Sequence, residues 1–162
     1  MTIRRAQPAD DTILGQLDAA TWTDDVSPAP APPPGTPFFS DRTQPQDVIV
    51  ADVDRIVVGY ARISQPIALP SHQHVLALNG LAVDPRWQGQ GVGRRLVEAT
   101  VQEARERGAR KLSLRVLGTN ASARRLYEAC GFMVEGTLRA EFLLEGRYID
   151  DVFMALELIS GS

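Results

Sequence analysis

The chain has little with which to staple itself or to bind a metal. Of its 162 residues one is cysteine, Cys130, and two are histidine, His72 and His74. A single thiol excludes an intramolecular disulfide, and neither histidine stands at metal-ligand spacing, so no metal is expected. Cys130, beside Phe132 near the end of a helix-like stretch, reads as a small apolar core residue. Positive charge is not in excess either. A net charge of −3 provides no electrostatic footprint for nucleic acid. No apolar run approaches the ~20 residues of a membrane span, and the N-terminal residues lack a charged-then-apolar signal region. The expectation is a cytoplasmic protein with neither nucleic acid nor membrane as partner. Residues 1–162 are read as one domain, long enough to bury a core without staples.

Against these absences stands one dense stretch, LNGLAVDPRWQGQGVGRRLVEATV, from Leu78 to Val101. Leu78, Leu81 and Val83 begin it as a strand, Asp84-Pro85-Arg86 turns it, and Gly89, Gly91 and Gly93 follow at alternate positions. Val92, Leu96, Val97, Val101 and Ala104 then recur at helical spacing, with Arg94, Arg95, Glu98 and Glu103 assigned to the opposite face. Strand, glycine loop and helix in this order suit an anion. Glycines let backbone N–H groups approach a phosphate, and the free N–H groups of a helix start add attraction. Two familiar phosphate motifs are missing, however. No lysine follows the glycines, as a P-loop requires. A dinucleotide fingerprint counted from Gly89 puts Arg94 where its last glycine belongs. Taken alone, the stretch is equally a glycine-rich turn before an ordinary surface helix.

What does fit is Gln88-x-x-Gly91-x-Gly93, which resembles the Gln/Arg-x-x-Gly-x-Gly/Ala signature of the GNAT superfamily of N-acetyltransferases. Downstream, after a predicted strand from Lys111 to Val116, comes NASARRLYEACGF. It is similar to the superfamily's second signature, Asn-x-x-Ala-x-x-Leu-Tyr-x-x-x-Gly-Phe, at Asn120, Ala123, Leu126, Tyr127, Gly131 and Phe132. With both motifs in order, the chain is identified as a member over roughly residues 75–158. The resemblance implies an α/β fold: a mixed, mostly antiparallel sheet of about seven strands flanked by about four helices. It also implies acetyl-CoA as co-substrate and a primary amine, of a small molecule or a protein N-terminus, as acceptor.

The site residues follow from the same resemblance. The main chain of Leu81, Ala82 and Val83 is expected along the pantetheine arm, with an N–H near Val83 polarising the thioester carbonyl. Backbone N–H groups of Gln88, Gly89, Gln90, Gly91, Val92, Gly93 and Arg94 are expected on the pyrophosphate. The Arg94 side chain either adds charge there or is a solvated helix arginine. Asn120, a helix N-cap in any case, and Ala123 are placed beside the cofactor. Tyr127 is the candidate general acid for the leaving thiolate, against the alternative of a core tyrosine.

One expected residue is absent. Many relatives carry a glutamate on the central strand six residues before the position of Val83, and here that position is Ala77. Period-two alternation puts Asn79 on the same face, able to hold a water and not to take a proton. Freeing a lysine-like amine at pH 7 costs about 4–5 kcal/mol, but an α-amine near 8 only about 1. A weakly basic amine therefore tolerates the loss. Glu141, Asp150, Asp151, His72 and His74 are the remaining candidates for a remote base. The missing carboxylate also leaves open a catalytically weak CoA-binding sensor or interaction module.

Elsewhere, Thr2 to Ala6 reads as a strand, and a helix with Ile13, Leu14, Leu17 and Ala20 on one face follows. Seven of the eleven prolines lie between Pro28 and Pro45, so residues 22–46 form an extended loop. It is either a variable insertion or a lid over the acceptor with Phe38 and Phe39 as anchors. Val48 to Ala51 and Ile56 to Ile63 form a hairpin around Asp52-Val53-Asp54-Arg55, and Glu145-Gly146 turns a final one. Gly146, Tyr148, Asp150, Met154 and Leu156 on that hairpin resemble a run recurring in relatives, among which a homodimer through it is one arrangement.

Overall fold

The computed structural model describes residues 1–158. In chain order the elements are β1 (Thr2–Arg5), α1 (Asp11–Thr21), β2 (Val48–Val53), β3 (Ile56–Ser64), β4 (Val75–Val83), α2 (Val92–Glu106), β5 (Lys111–Leu117), α3 (Ala121–Ala129), β6 (Met133–Leu144) and β7 (Arg147–Glu157). Single 3-10 turns at Pro8–Asp10, Pro45–Asp47, Pro70–His72 and Pro85–Trp87 complete it. Each begins on a proline, whose fixed φ suits the first turn of a helix. The seven strands form one sheet in the order β1-β2-β3-β4-β5-β7-β6. Only β4 and β5, joined through α2, run parallel; the other neighbours are antiparallel. The α/β fold expected from the motifs is thus present, with three α-helices among the described residues.

The helices divide between two faces. Val92, Leu96, Val97, Val101 and Ala104 of α2 are all buried and join Ala61, Ile63, Leu78, Leu114 and Tyr127 in the larger core. On the opposite face, Leu14 and Leu17 of α1 pack with Val48, Val50, Val57, Tyr60 and Ala82. α2 ends at Arg107, with Gly108 at φ 82° closing it as a left-handed cap. The proline-rich segment has no strand or α-helix between Trp22 and Gln44 and is pinned by its aromatics. Phe38 packs edge-on against Tyr60, with ring centroids 5.0 Å apart. The Phe39 N–H donates to Asp11 Oδ1 at 2.8 Å.

Two local readings are corrected. The hairpin between β2 and β3 turns on Asp54 and Arg55 alone, both at positive φ without a glycine. The Asp52 carboxylate holds that turn by accepting from the Arg55 N–H at 2.8 Å. Glu103 is buried rather than on the solvent face, because Arg5 and Arg107 both donate to it at 2.9 Å. It ties β1 to the end of α2.

Burial opposes charge on Glu103, yet the hydrogen bonds from Arg5 and Arg107 hold its carboxyl below the usual range. The Arg4 guanidinium does the same for Asp10. A carboxyl with a lower pKa folded than unfolded adds stability above its unfolded value, about 4, and loses it as pH falls through the folded one. Glu103→Gln should therefore cost about 1–3 kcal/mol near pH 7 and less near pH 3. Urea unfolding of both proteins at the two pH values checks this; an equal gap at both would refute it.

Candidate active site

β4 and β5 pair over only three residues, Val75 with Lys111, Leu76 with Leu112 and Ala77 with Ser113. Beyond that the strands continue, β4 to Val83 held by β3 and β5 to Leu117 held by β7. The middle of the sheet therefore opens as a V. A bulge accompanies the opening. Ile63 pairs with Leu78 and Ala61 with Leu81, so Asn79 and Gly80 together face Arg62. Gly80 lies at φ 146°, which only glycine adopts readily. Because of the bulge, Leu76 and Leu78 before it and Leu81 and Val83 after it all reach the α2 core, whereas Ala82 turns to α1.

Main-chain direction follows. The Asp84 N–H bonds back to the Val58 carbonyl at 2.8 Å. By the alternation of an antiparallel ladder, Ala82 also turns its N–H and C=O toward β3, and Leu81 and Val83 turn theirs into the opening. The Val83 carbonyl accepts from Gln88 Nε2 at 3.0 Å. Gln88 thus folds the loop back against the strand.

The glycine loop ends on Gly91, at φ 82°, which caps α2 with no side chain. The Arg95 N–H is bonded to the Gly91 carbonyl at 3.1 Å, so the preceding N–H groups of Val92, Gly93 and Arg94 have no intrahelical acceptor. A Cβ at Gly89 or Gly91 would meet nothing within 4 Å, so both backbones face open space. At Gly93 a Cβ would come within 3.2 Å of Leu126. This glycine lets α2 and α3 approach. The Val92 side chain is core, so its contribution to the loop is its N–H. The Arg94 side chain is exposed and paired with Glu98 at 3.0 Å along the helix, as a solvated helix arginine would be. Gln90 Nε2 donates to the Arg86 carbonyl at 3.2 Å.

Across the opening, Asn120 caps α3 by accepting from the Ala123 N–H at 3.3 Å. Beside it the Thr119 hydroxyl is buried without a partner, a feature that no motif marked. Tyr127 has its ring in the core against Phe132. Burial, with the neighbouring Cys130 thiol second, pushes its phenol up to about 12. Its hydroxyl makes no side-chain hydrogen bond among the described residues and is not among the atoms sealed from solvent without a partner.

The α1 face of the opening carries polar residues that sequence reasoning missed. Tyr60 donates to Asp18 Oδ1 at 2.5 Å. Arg62 donates through Nε to the Asn79 carbonyl and through Nη1 to Thr43 Oγ1, both at 2.9 Å. The exposed Asn79 thus contributes a main-chain carbonyl to this cluster. The remote-base candidates are placed differently. Asp151 is buried and bonded to Arg115. Asp150 accepts from the Ala140 N–H at 2.9 Å and so supports a bulge in β6. Glu141 is exposed on that edge strand. The His74 carbonyl accepts from the Arg110 N–H at 2.8 Å, at the closed end of the β4–β5 pair. His72 lies in the preceding turn. A cavity of about 290 Å³ lined by Gln65, Ile67, Leu69 and Pro70 is also in that loop and shares no residue with the opening.

Known proteins agree with this architecture. Residues 14–132 match the model of the acetyltransferase (GNAT) family. The chain is 27% identical over 166 residues to the L-amino acid N-acyltransferase MnaT of Escherichia coli K12, covering 98% of this chain and 94% of that one. It is 42% identical over 83 residues to the ribosomal protein bS18-alanine N-acetyltransferase of the same strain, covering 50% and 55%. The fold superposes on yncA of Salmonella typhimurium, solved with its cofactor acetyl-CoA, with a TM-score of 0.84 at 24% identity, over 100% and 96% of the chains.

Proposed function

Because the chain belongs to the acetyltransferase (GNAT) family, we propose that it transfers the acetyl group of acetyl-CoA to the α-amine of a small molecule or peptide N-terminus. Attack is direct, within a ternary complex. The observation that carries this reading is the V between β4 and β5, with the glycine loop and its start of α2 following β4 and the Asn120–Tyr127 helix following β5. Two relatives named above are an L-amino acid N-acyltransferase and an N-acetyltransferase of an alanine in ribosomal protein bS18, and an α-amine is an acceptor consistent with both.

The residues present fit the co-substrate. Open backbone at Gly89 and Gly91 leaves room for a pyrophosphate, and the N–H groups from Gly91 to Arg94 with the start of α2 supply its hydrogen bonds. Leu81 and the Val83 N–H offer main-chain groups to the pantetheine arm, and Asn120 stands at the start of α3 on the other side. Acetyl-CoA supplies an acetyl group activated as a thioester. The Val83 N–H is the donor for its carbonyl oxygen. A Tyr127 phenol pushed up to about 12 stays protonated at neutral pH. It therefore acts as a hydrogen-bond donor to the departing sulfur. Complete transfer to a thiolate of pKa ~8.5 would run uphill by about 4–5 kcal/mol.

Ala77 leaves the central strand without a base. A peptide N-terminal amine is a consistent acceptor, since its neutral form at pH 7 costs about 1 kcal/mol; the more basic α-amine of a free amino acid costs about 3–4, still less than a lysine side chain. Rate then comes from positioning the neutral amine against the carbonyl. Tyr127 and the intact loop favour this enzyme over a CoA-binding sensor.

Titration calorimetry with acetyl-CoA is the primary test. Binding should be measurable, and Gly91→Trp should abolish it by filling the open space at the loop without touching the core; no binding by the unaltered protein at millimolar ligand would remove the proposal. Tyr127→Phe should lower kcat by roughly ten- to a thousand-fold while changing KM less, and a variant as fast as the parent would take Tyr127 out of the reaction. Finally, kcat/KM should rise with pH up to the acceptor amine's own pKa, as read by thiol release. A plateau by about pH 7 with a more basic amine would mean that an enzyme group removes the proton.

A further inference from the structure

Arg62 is a cation without an anion. It stands on β3 facing α1, half-buried, with two donors spent on neutral acceptors, the Asn79 carbonyl and Thr43 Oγ1. Ion pairs elsewhere engage Arg4, Arg5, Arg107 and Arg115, but among the described residues no carboxylate pairs with Arg62. A guanidinium is always charged and has five N–H donors, so three are unspent. Asp18, the carboxylate on this face, is engaged by the Tyr60 hydroxyl instead.

The space beside Arg62 is kept open by the bulge. A Cβ at Gly80 would lie 3.5 Å from Arg62 Cβ and 3.5 Å from Tyr60 Cε2. A side chain there would pack directly against both, so the glycine leaves the Arg62 and Tyr60 side chains uncovered from the β4 side, next to the point where β4 leaves β5. Phe38, edge-on to Tyr60, adds an apolar wall. One end of this surface therefore presents unspent guanidinium donors, and the other an aromatic surface with the Asp18 carboxylate behind it. A lone anion would meet Asp18 unfavourably; a zwitterion is admitted because its ammonium offsets that repulsion on entry, and the ammonium must then give up its proton to solvent before it attacks.

We propose that Arg62 binds the α-carboxylate of the acceptor, which makes the substrate a free amino acid with an apolar side chain rather than a peptide N-terminus. This rests on the α-amine reading above. A peptide presents a neutral amide at that position and forgoes a charge-assisted, bidentate hydrogen bond. Arg62 acts on specificity; it binds the far end of the acceptor and takes no part in bond exchange.

The test compares L-leucine, L-methionine and L-phenylalanine with their carboxamides and with the peptide Leu-Gly-Gly. The acids should exceed the carboxamides in kcat/KM by about 10- to 100-fold, although the less basic carboxamide amine is favoured by its chemistry alone. Arg62→Gln, which keeps a donor for Thr43, should bring the ratio to within about threefold, mainly through KM. Arg62→Lys should restore part of it. Equal losses on acids and carboxamides would reduce Arg62 to a clamp between β4 and the loop, and a parent enzyme that prefers carboxamides or the peptide would overturn the proposal. Calorimetry of L-leucine and leucinamide with the CoA-loaded protein separates this from the transfer reading. If acetyl-CoA binds but no amine releases thiol, transfer fails alone, while the leucine preference and its loss in Arg62→Gln still report on Arg62. Absence of any leucine preference in binding sinks it.

Discussion

Two parallel strands that share only three residue pairs are the constraint on which the rest depends. Backbone N–H and C=O groups buried without partners cost free energy, so strands do not separate in the middle of a sheet without a reason. Here β4 and β5 are each held on the outer side, β4 by β3 and β5 by the seven-residue pairing with β7. Below them, α2 and α3 seal one face with Leu96, Val97 and Tyr127. Separation is therefore rigid. It is not a frayed edge. The Val83 carbonyl is taken by Gln88; on the reading proposed above, the Val83 N–H and the inner groups of Leu81 are met by an extended chain laid between the strands, as a further strand would meet them.

Several local features keep the V from closing. The bulge at Asn79 and Gly80 turns β4 away just past its last pair with β5. At the other arm, the Gly118 N–H is bonded to the Asp150 carbonyl at 2.9 Å, and a Cβ at Gly118 would press within 3.2 Å of Asp150 Cβ. β5 thus hands over to α3 in close contact with β7. The Asp150 carboxylate meanwhile supports the bulge in β6. Asp150, part of the hairpin run that recurs in relatives, is in the folded chain a brace for the arm carrying Asn120 and Tyr127.

The cofactor half of the site was legible because its residues are contiguous. Gln88 to Arg94 form one loop and Asn120 to Phe132 one helix with its cap, so each is a continuous run that can be compared with a family signature, which spacing alone would not have singled out. α2 was legible through its apolar period, but that period misplaced Glu103. A carboxylate reads as solvent-facing unless its partners are known, and Arg5 is nearly a hundred residues away. Strict alternation also set Asn79 beside Ala77 as a water holder. The bulge supplies a reason why the main chain of Asn79, more than its side chain, matters here. The proposed acceptor half was illegible for a topological reason. Asp18, Phe38, Thr43, Tyr60, Arg62 and Gly80 come from α1, the proline-rich loop, β3 and β4. No local pattern links them.

The missing base and the unpaired arginine are aspects of one arrangement. Ala77 pairs with Ser64, and Arg62 lies two residues along β3 on the same face. Diagonal neighbours of this kind are about 7–8 Å apart between α-carbons, within reach of long side chains. A glutamate at position 77 would pair with Arg62 and neutralise it, giving the strand a base at the expense of its free cation. Alanine does the reverse. It removes the proton acceptor and leaves Arg62 charged, beside a glycine that does not cover it. On the reading proposed above, such an enzyme forgoes a base on the strand and holds its acceptor through Arg62. Orientation, worth several kcal/mol when it sets a nucleophile at near-attack distance, then takes over from general-base catalysis as the main source of rate.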